Sequence, residues 1–210
     1  MTRLQGFAGK AGSRRSVRFD GRRRNDQGIS VPAKPEQPIP ALNMPAKAGV
    51  GHQVAALLGF LALSHTVSFL GSLAIIANAH GWYAAANKAP WTPPHWVFGM
   101  TWTVLYTAMA IAVWLVWRQW SVRRGSAMMA YGIQLALNLA WTPTFFGMYP
   151  MLGTAALWLA LLIITALALG VTVTVLRFGP ISRAAGLLML PYISWIIFSA
   201  SLNLYAATTN

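Results

Sequence analysis

Beyond Glu36 the chain has no carboxylate side chain: its three acids are Asp20, Asp26 and Glu36, and positions 37–210 carry none. A water-soluble body of that length would lack the mixed surface charge that keeps a protein dissolved and monomeric. Hydrocarbon imposes the opposite rule, because a charge there is costly. Overall only 9% of residues are charged and 56% are hydrophobic, far from the roughly one-quarter charged that soluble domains show. The reading is an all-α integral membrane protein.

Uncharged stretches locate the helices, since about 20 apolar residues are needed to cross a bilayer core. Uncharged runs cover Ala48–Asn87, Ala89–Trp117, Gly125–Leu176 and everything after Arg183. The third is too long for one helix, and Gly147, Pro150 and Gly153 divide it. Five transmembrane helices follow, at roughly 53–79, 96–117, 127–146, 153–176 and 184–207. Residues 1–50 hold Arg14-Arg15, Arg22-Arg23-Arg24 and several prolines with little apolar periodicity. They read as a basic, disordered extension, with Met44 as an alternative start. Residues 51–210 form the transmembrane domain.

Basic residues then set an orientation. Ten lie between the N-terminus and Lys47; Arg118, Arg123 and Arg124 fall in the second loop, and Arg177 and Arg183 in the fourth. Five spans place all fifteen on one side and leave only Lys88 opposite. That asymmetry predicts the N-terminus on the cytoplasmic-type side and the C-terminus across the membrane. Nucleic acid is not the expected partner, because no groove of interleaved basic and aromatic residues exists. The absence of cysteine excludes disulfides and thiolate chemistry. Without carboxylates, general acid–base catalysis and carboxylate-bridged metal sites are not expected in the bundle. An ion channel or ion-coupled transporter is disfavoured on the same ground.

Polar and aromatic residues converge in the outer half. Gln134, Asn138, Trp141 and Phe145 recur on one face of the third span, and Gly132, Ala136 and Ala140 occupy the opposite face. The first face suits a cavity, or amides bonded between helices. The small-residue stripe suits close helix approach, in a homodimer or within the monomer. Tyr192, Trp195, Ser199 and Asn203, with Phe198 adjacent, repeat the pattern in the fifth span, as do Phe98, Trp102, Tyr106 and Met109 in the second. Trp102 and Trp195 are expected to face each other across a gap. The loop Trp82-Tyr83…Lys88…Pro90-Trp91-Thr92-Pro93-Pro94-His95-Trp96 reads as a stiff aromatic cap. Pro143 and Pro191 are expected to kink their helices. Lys88 is placed to meet an incoming anion. His65, His80 and His95 could each offer an imidazole to haem iron, although no obligatory cofactor or metal site is expected.

At these residues the chain resembles the TspO/MBR family of tryptophan-rich sensory and translocator proteins. The matching text is Trp82-Tyr83, Lys88, Pro90-Trp91-Thr92-Pro93-Pro94-His95-Trp96-Val97-Phe98-Gly99, Trp102, Leu105-Tyr106, Asn138-Leu139-Ala140-Trp141, Phe145-Phe146, Pro191-Tyr192, Trp195, Phe198 and Leu202-Asn203. The resemblance implies a five-helix homodimer and binding of protoporphyrin IX or haem, with a transport or sensory role. Carried over by motif, its pocket comprises Tyr83, Trp102, Asn138, Trp141, Phe145, Trp195, Phe198 and Ser199. Some members are credited with light-dependent porphyrin breakdown, for which Trp102 and Trp195 would be the redox partners, so enzymatic activity stays open. Others bind sterols through a C-terminal motif ending in a basic residue. Here Tyr205 is followed by Ala206-Ala207-Thr208-Thr209-Asn210, with no such residue. That departure favours a tetrapyrrole binder of bacterial type, in a bacterial membrane.

Overall fold

The computed structural model describes residues 49–78 and 80–210. The expectations for the N-terminal extension, including its basic residues and the start at Met44, lie outside the described residues. Within them every regular element is a helix, with no strand. The elements are α1 (Val50–Asn78), α2 (Trp82–Ala85), α3 (His95–Trp117), α4 (Arg124–Thr142), a π-helical segment (Pro143–Gly147), α5 (Tyr149–Leu152), α6 (Thr154–Phe178), α7 (Arg183–Leu188) and α8 (Leu190–Thr209).

Four helical runs are long and apolar enough to cross a membrane: Val50–Asn78, His95–Trp117, Thr154–Phe178 and Arg183–Thr209. Against the five spans expected, α4 is the one that falls short. Its 19 residues bury Tyr131, Gln134, Asn138 and Thr142 on one face, and those polar groups lower its apolarity. The chain is therefore a multi-pass integral membrane protein. Its outer surface agrees, because Leu58, Val104, Leu162, Leu169, Ile197 and Leu204 are all exposed, an arrangement that water would penalise and acyl chains accept.

Helix ends follow from local chemistry. α3 begins directly after Pro94, where a residue lacking an N–H removes no intrahelical bond. At Pro143 the missing donor interrupts the α-helical ladder. The chain does not simply bend there: it rewinds, and Met148 N donates to Pro143 O five residues back at 3.1 Å. Pro191 produces no kink inside a helix either. It sits in the first turn of α8, and the helical run is broken just before it, at Met189. Gly153, the sole described residue with positive φ (57°), turns the chain from α5 into α6. Gly186 lets α7 close on the end of α6, because a Cβ there would stand 3.1 Å from Gly179 Cα.

The core runs along the inner faces of α3, α4, α6 and α8. Met109, Val113, Leu157, Ile164, Leu167, Val171, Tyr192 and Ile196 have no exposure at all. The most extensive pairings are α4 with α6, α6 with α8, and α1 with α3. α1 is the least embedded of the long helices, burying only Ser64, Val67 and Gly71.

Candidate ligand cavity

A cavity of about 440 Å³ opens among α1, α3, α4, the π-helical segment and α8, with Tyr83 of α2 at one end. The period of α4 supplies one wall. Asn138 and Trp141 line the space, and the rewound segment carries Phe145 and Phe146 onto the same side. α3 adds His95, Phe98, Gly99, Trp102, Thr103 and Tyr106, and α8 adds Ser199, Leu202 and Asn203.

The amides of this wall are bonded across helices. Asn138 Oδ1 accepts from the Tyr106 hydroxyl at 2.6 Å, and its Nδ2 donates to the Tyr192 hydroxyl at 2.7 Å. Trp141 Nε1 donates to Asn203 Oδ1 at 3.1 Å, while Asn203 Nδ2 donates to Leu157 O at 2.9 Å. Each amide thus spans two neighbouring helices, so both readings of the polar face hold: a cavity exists, and its amides are interhelical ties. What faces the space is mainly aromatic. Trp102 lies 5.6 Å from the Tyr106 ring, and Trp141 stacks on Phe145 at 5.7 Å. Gln134 lies outside the cavity, fully buried, with Nε2 at 3.6 Å from Met109 Sδ and Oε1 without a partner among the described residues.

The loop between α1 and α3 covers the end of the cavity at Tyr83. Trp82 stacks on Tyr149 at 3.9 Å and donates from Nε1 to Phe146 O at 2.8 Å. Tyr83 stands edge-on to Phe146 at 4.9 Å, and burial raises its hydroxyl above the ordinary tyrosine range. Asn87 N–H donates to Asn210 Oδ1 and its Nδ2 to Thr209 O. Trp91 Nε1 donates to Ser201 Oγ at 3.3 Å.

Of the expected ligand-contacting residues, Tyr83, Trp102, Asn138, Trp141, Phe145 and Ser199 meet at the cavity. Three do not. Trp195 and Phe198 line a separate, open groove of about 650 Å³ between α3 and α8, together with Trp96, Met100 and Val104. Phe98 stands between the two spaces: it lines the cavity and meets the Trp195 ring at 5.6 Å. The expected confrontation of Trp102 and Trp195 across one gap is therefore corrected. Lys88 does not line the cavity; its Nζ donates to Ala84 O and sits 5.1 Å over the Tyr83 ring. His65 bonds Thr107 at 3.2 Å, His80 is exposed in a turn, and only His95 of the three candidate histidines reaches the cavity.

Sequence reasoning missed the α1 wall, formed by Ser68, Gly71, Ser72, Ile75 and Ile76. Its signal was the small stripe Ser68, Gly71, Ser72 at helical spacing, which carries no aromatic marker. Gly132, Ala136 and Ala140 are exposed on α4, so none of the described helices covers the stripe.

Comparison with known proteins agrees with this architecture. A profile of the TspO/MBR family matches residues 60–208. The translocator protein of Homo sapiens is 36% identical over 149 residues, covering 70% of this chain and 85% of the relative. The tryptophan-rich protein TspO of Archaeoglobus fulgidus is 36% identical over 153 residues, 71% of this chain and 91% of its own. The tryptophan-rich sensory protein of Cereibacter sphaeroides is 35% identical over 156 residues, 74% and 92% of the two chains. With a family profile spanning most of its length and relatives above 30% identity matched over 85% or more of their own length, the chain belongs to the TspO/MBR family.

Proposed function

We propose that this membrane protein holds a tetrapyrrole, protoporphyrin IX or haem, in the aromatic cavity and serves in its sensing or transport. The observation that carries the reading is a largely apolar cavity walled by Trp102, Trp141, Phe145 and Phe146, whose amide groups are already bonded to the protein. Its volume falls in the range of about 300–1,000 Å³ usual for ligand pockets. A flat, largely apolar macrocycle gains there from aromatic contact and close apolar packing, and it need not break an interhelical bond. The relatives' names, translocator and sensory protein, fit such a role.

In this reading α4 is the fifth transmembrane helix, admitted despite its polar face because that face is turned inward. Arg118, Arg123, Arg124, Arg177 and Arg183 then mark the cytoplasmic-type side, where Arg177 in the last turn of α6 donates to Ser126 O in the first turn of α4. Gly132, Ala136 and Ala140 form the homodimer contact. Binding is favoured over light-driven breakdown, because only one of the two candidate redox indoles, Trp102, lines the cavity.

The test is titration of the purified full chain with protoporphyrin IX, read by tryptophan quenching. Saturable quenching that weakens in Trp102→Phe supports the reading. Quenching that never saturates in the wild type defeats it.

A further inference from the structure

We infer that the cavity is entered sideways, from within the bilayer, through a slot between α1 and the first turns of α3. The inference rests on the cavity being the ligand site, as proposed above, and it narrows the ligand to molecules that dissolve in the membrane.

Exposure of the cavity's own wall locates the opening. The lining residues from α4 and the π-helical segment are all buried, and those from α8 are buried or half-buried. The exposed ones are Ile75 and Ile76 on α1 and His95, Gly99 and Thr103 on α3. The last three recur every fourth residue, so they form one strip about 12 Å long down α3. Beside that strip α1 has no buried residue beyond Gly71.

Hydrogen bonding gives the slot a closed lower end. α1 and α3 are tied by Trp114 Nε1 donating to Gln53 O at 2.9 Å and by His65 Nε2 with Thr107 Oγ1 at 3.2 Å. No side-chain bond joins the two helices nearer the loop among the described residues. The hydroxyls along the slot are satisfied within their own helices: Thr103 Oγ1 donates to Gly99 O and Ser72 Oγ to Phe69 O. Those two hydroxyls therefore present no unmet donor to acyl chains.

The route from water is barred in contrast. The loop is fastened at one flank by Trp82 to Tyr149 and Phe146, and at the other by Asn87 to Asn210 and Trp91 to Ser201. A flat molecule lying in the leaflet meets the slot edge-on. His95, at the first turn of α3, stands where the molecule's polar group would stay near the headgroups.

The chain has no cysteine, so one introduced thiol is unique. Ser199 lines the cavity and is 4% exposed. Ser199→Cys in the full chain, reconstituted in phospholipid vesicles, is to be alkylated with membrane-soluble N-(1-pyrenyl)maleimide. Parallel samples receive a membrane-impermeant sulfonated methanethiosulfonate on both faces. Lateral entry predicts labelling by the pyrene reagent, with the charged reagent at least tenfold slower than on an exposed control thiol. Adding Gly99→Trp, where a new Cβ meets nothing within 4 Å, should slow pyrene labelling at least tenfold. Loosening the loop with Asn87→Ala and Asn210→Ala should change it less than twofold. Fast reaction with the charged reagent, acceleration by the loop variant, or indifference to Gly99→Trp would each overturn the inference. Ser68→Cys, on the α1 wall, serves if Ser199→Cys fails to insert. No tetrapyrrole is used, so failure of porphyrin binding with this labelling pattern intact would sink the ligand reading alone.

Discussion

Tyr106 of α3 and Tyr192 of α8 are held by the two ends of one amide, that of Asn138 on α4, at 2.6 and 2.7 Å. A single side chain thereby fixes the separation of three helices beside the cavity. All three residues are buried, so neither hydroxyl has water to fall back on.

That arrangement makes the cost of losing Asn138 depend on what remains. Asn138→Leu strands two buried hydroxyls, and each unmet polar group costs about 1–3 kcal/mol. Denaturant or thermal unfolding in detergent should show a loss of about 2–6 kcal/mol. Adding Tyr106→Phe and Tyr192→Phe removes the stranded groups, and the triple variant should be more stable than Asn138→Leu alone. A triple variant less stable than the single would mean that the amide acts by packing rather than by hydrogen bonding.

The two spaces flanking Phe98 separate the roles of the tryptophans. Trp102 lines the cavity, and Trp195 lines the groove on the other side. Trp102→Phe should weaken protoporphyrin IX binding about tenfold, equivalent to about 1.4 kcal/mol. Trp195→Phe should change it less than twofold. Equal weakening in equilibrium titrations of the two variants would show that the ligand reaches both spaces.

Periodicity made the α4 wall legible, because Asn138, Trp141 and Phe145 share a face whatever the helix packs against. It could not orient α8 in the same way. Tyr192, Trp195 and Ser199 lie on one broad side of that helix, yet Phe98 from α3 divides it, sending Ser199 to the cavity and Trp195 to the groove. Such a partition depends on a neighbour's side chain and is invisible in one helix's spacing. Pro143 illustrates another limit. Loss of a donor was readable, but the rewound turn, closed by Met148 N donating to Pro143 O, was not. The α1 wall was hidden because serine, glycine and isoleucine also make ordinary lipid-facing or packing surfaces.

Where α7 turns back on α6, the tolerance for added volume is small. A Cβ at Gly186 would stand 3.1 Å from Gly179 Cα and 3.3 Å from Gly179 N, and backbone cannot swing aside as a flexible side chain can. Gly186→Ala should therefore destabilise the protein by about 1–3 kcal/mol, the usual cost of overpacking. Gly99→Ala, whose Cβ meets nothing within 4 Å, should leave the unfolding midpoint nearly unchanged. Comparing the two in the same detergent controls for helix propensity, which favours alanine in both.

The exposed face of α4 gives the last expectation. Gly132, Ala136 and Ala140 lie one turn apart and uncovered, flanked by Met129 and Ile133, which are 60% and 51% exposed. Small residues at this spacing let two helix backbones approach closely, and bilayer helices associate largely by such packing. Gly132→Ile with Ala136→Ile fills the stripe. A Cβ at Gly132 meets nothing within 4 Å in the monomer, so the fold should survive. Sedimentation in detergent should then shift from dimer to monomer. Protoporphyrin IX affinity should stay within twofold, because the cavity lies on the opposite face of α4. A variant that remains dimeric would place the contact on another helix, and one that loses porphyrin binding as it dissociates would show that the partner copy completes the site.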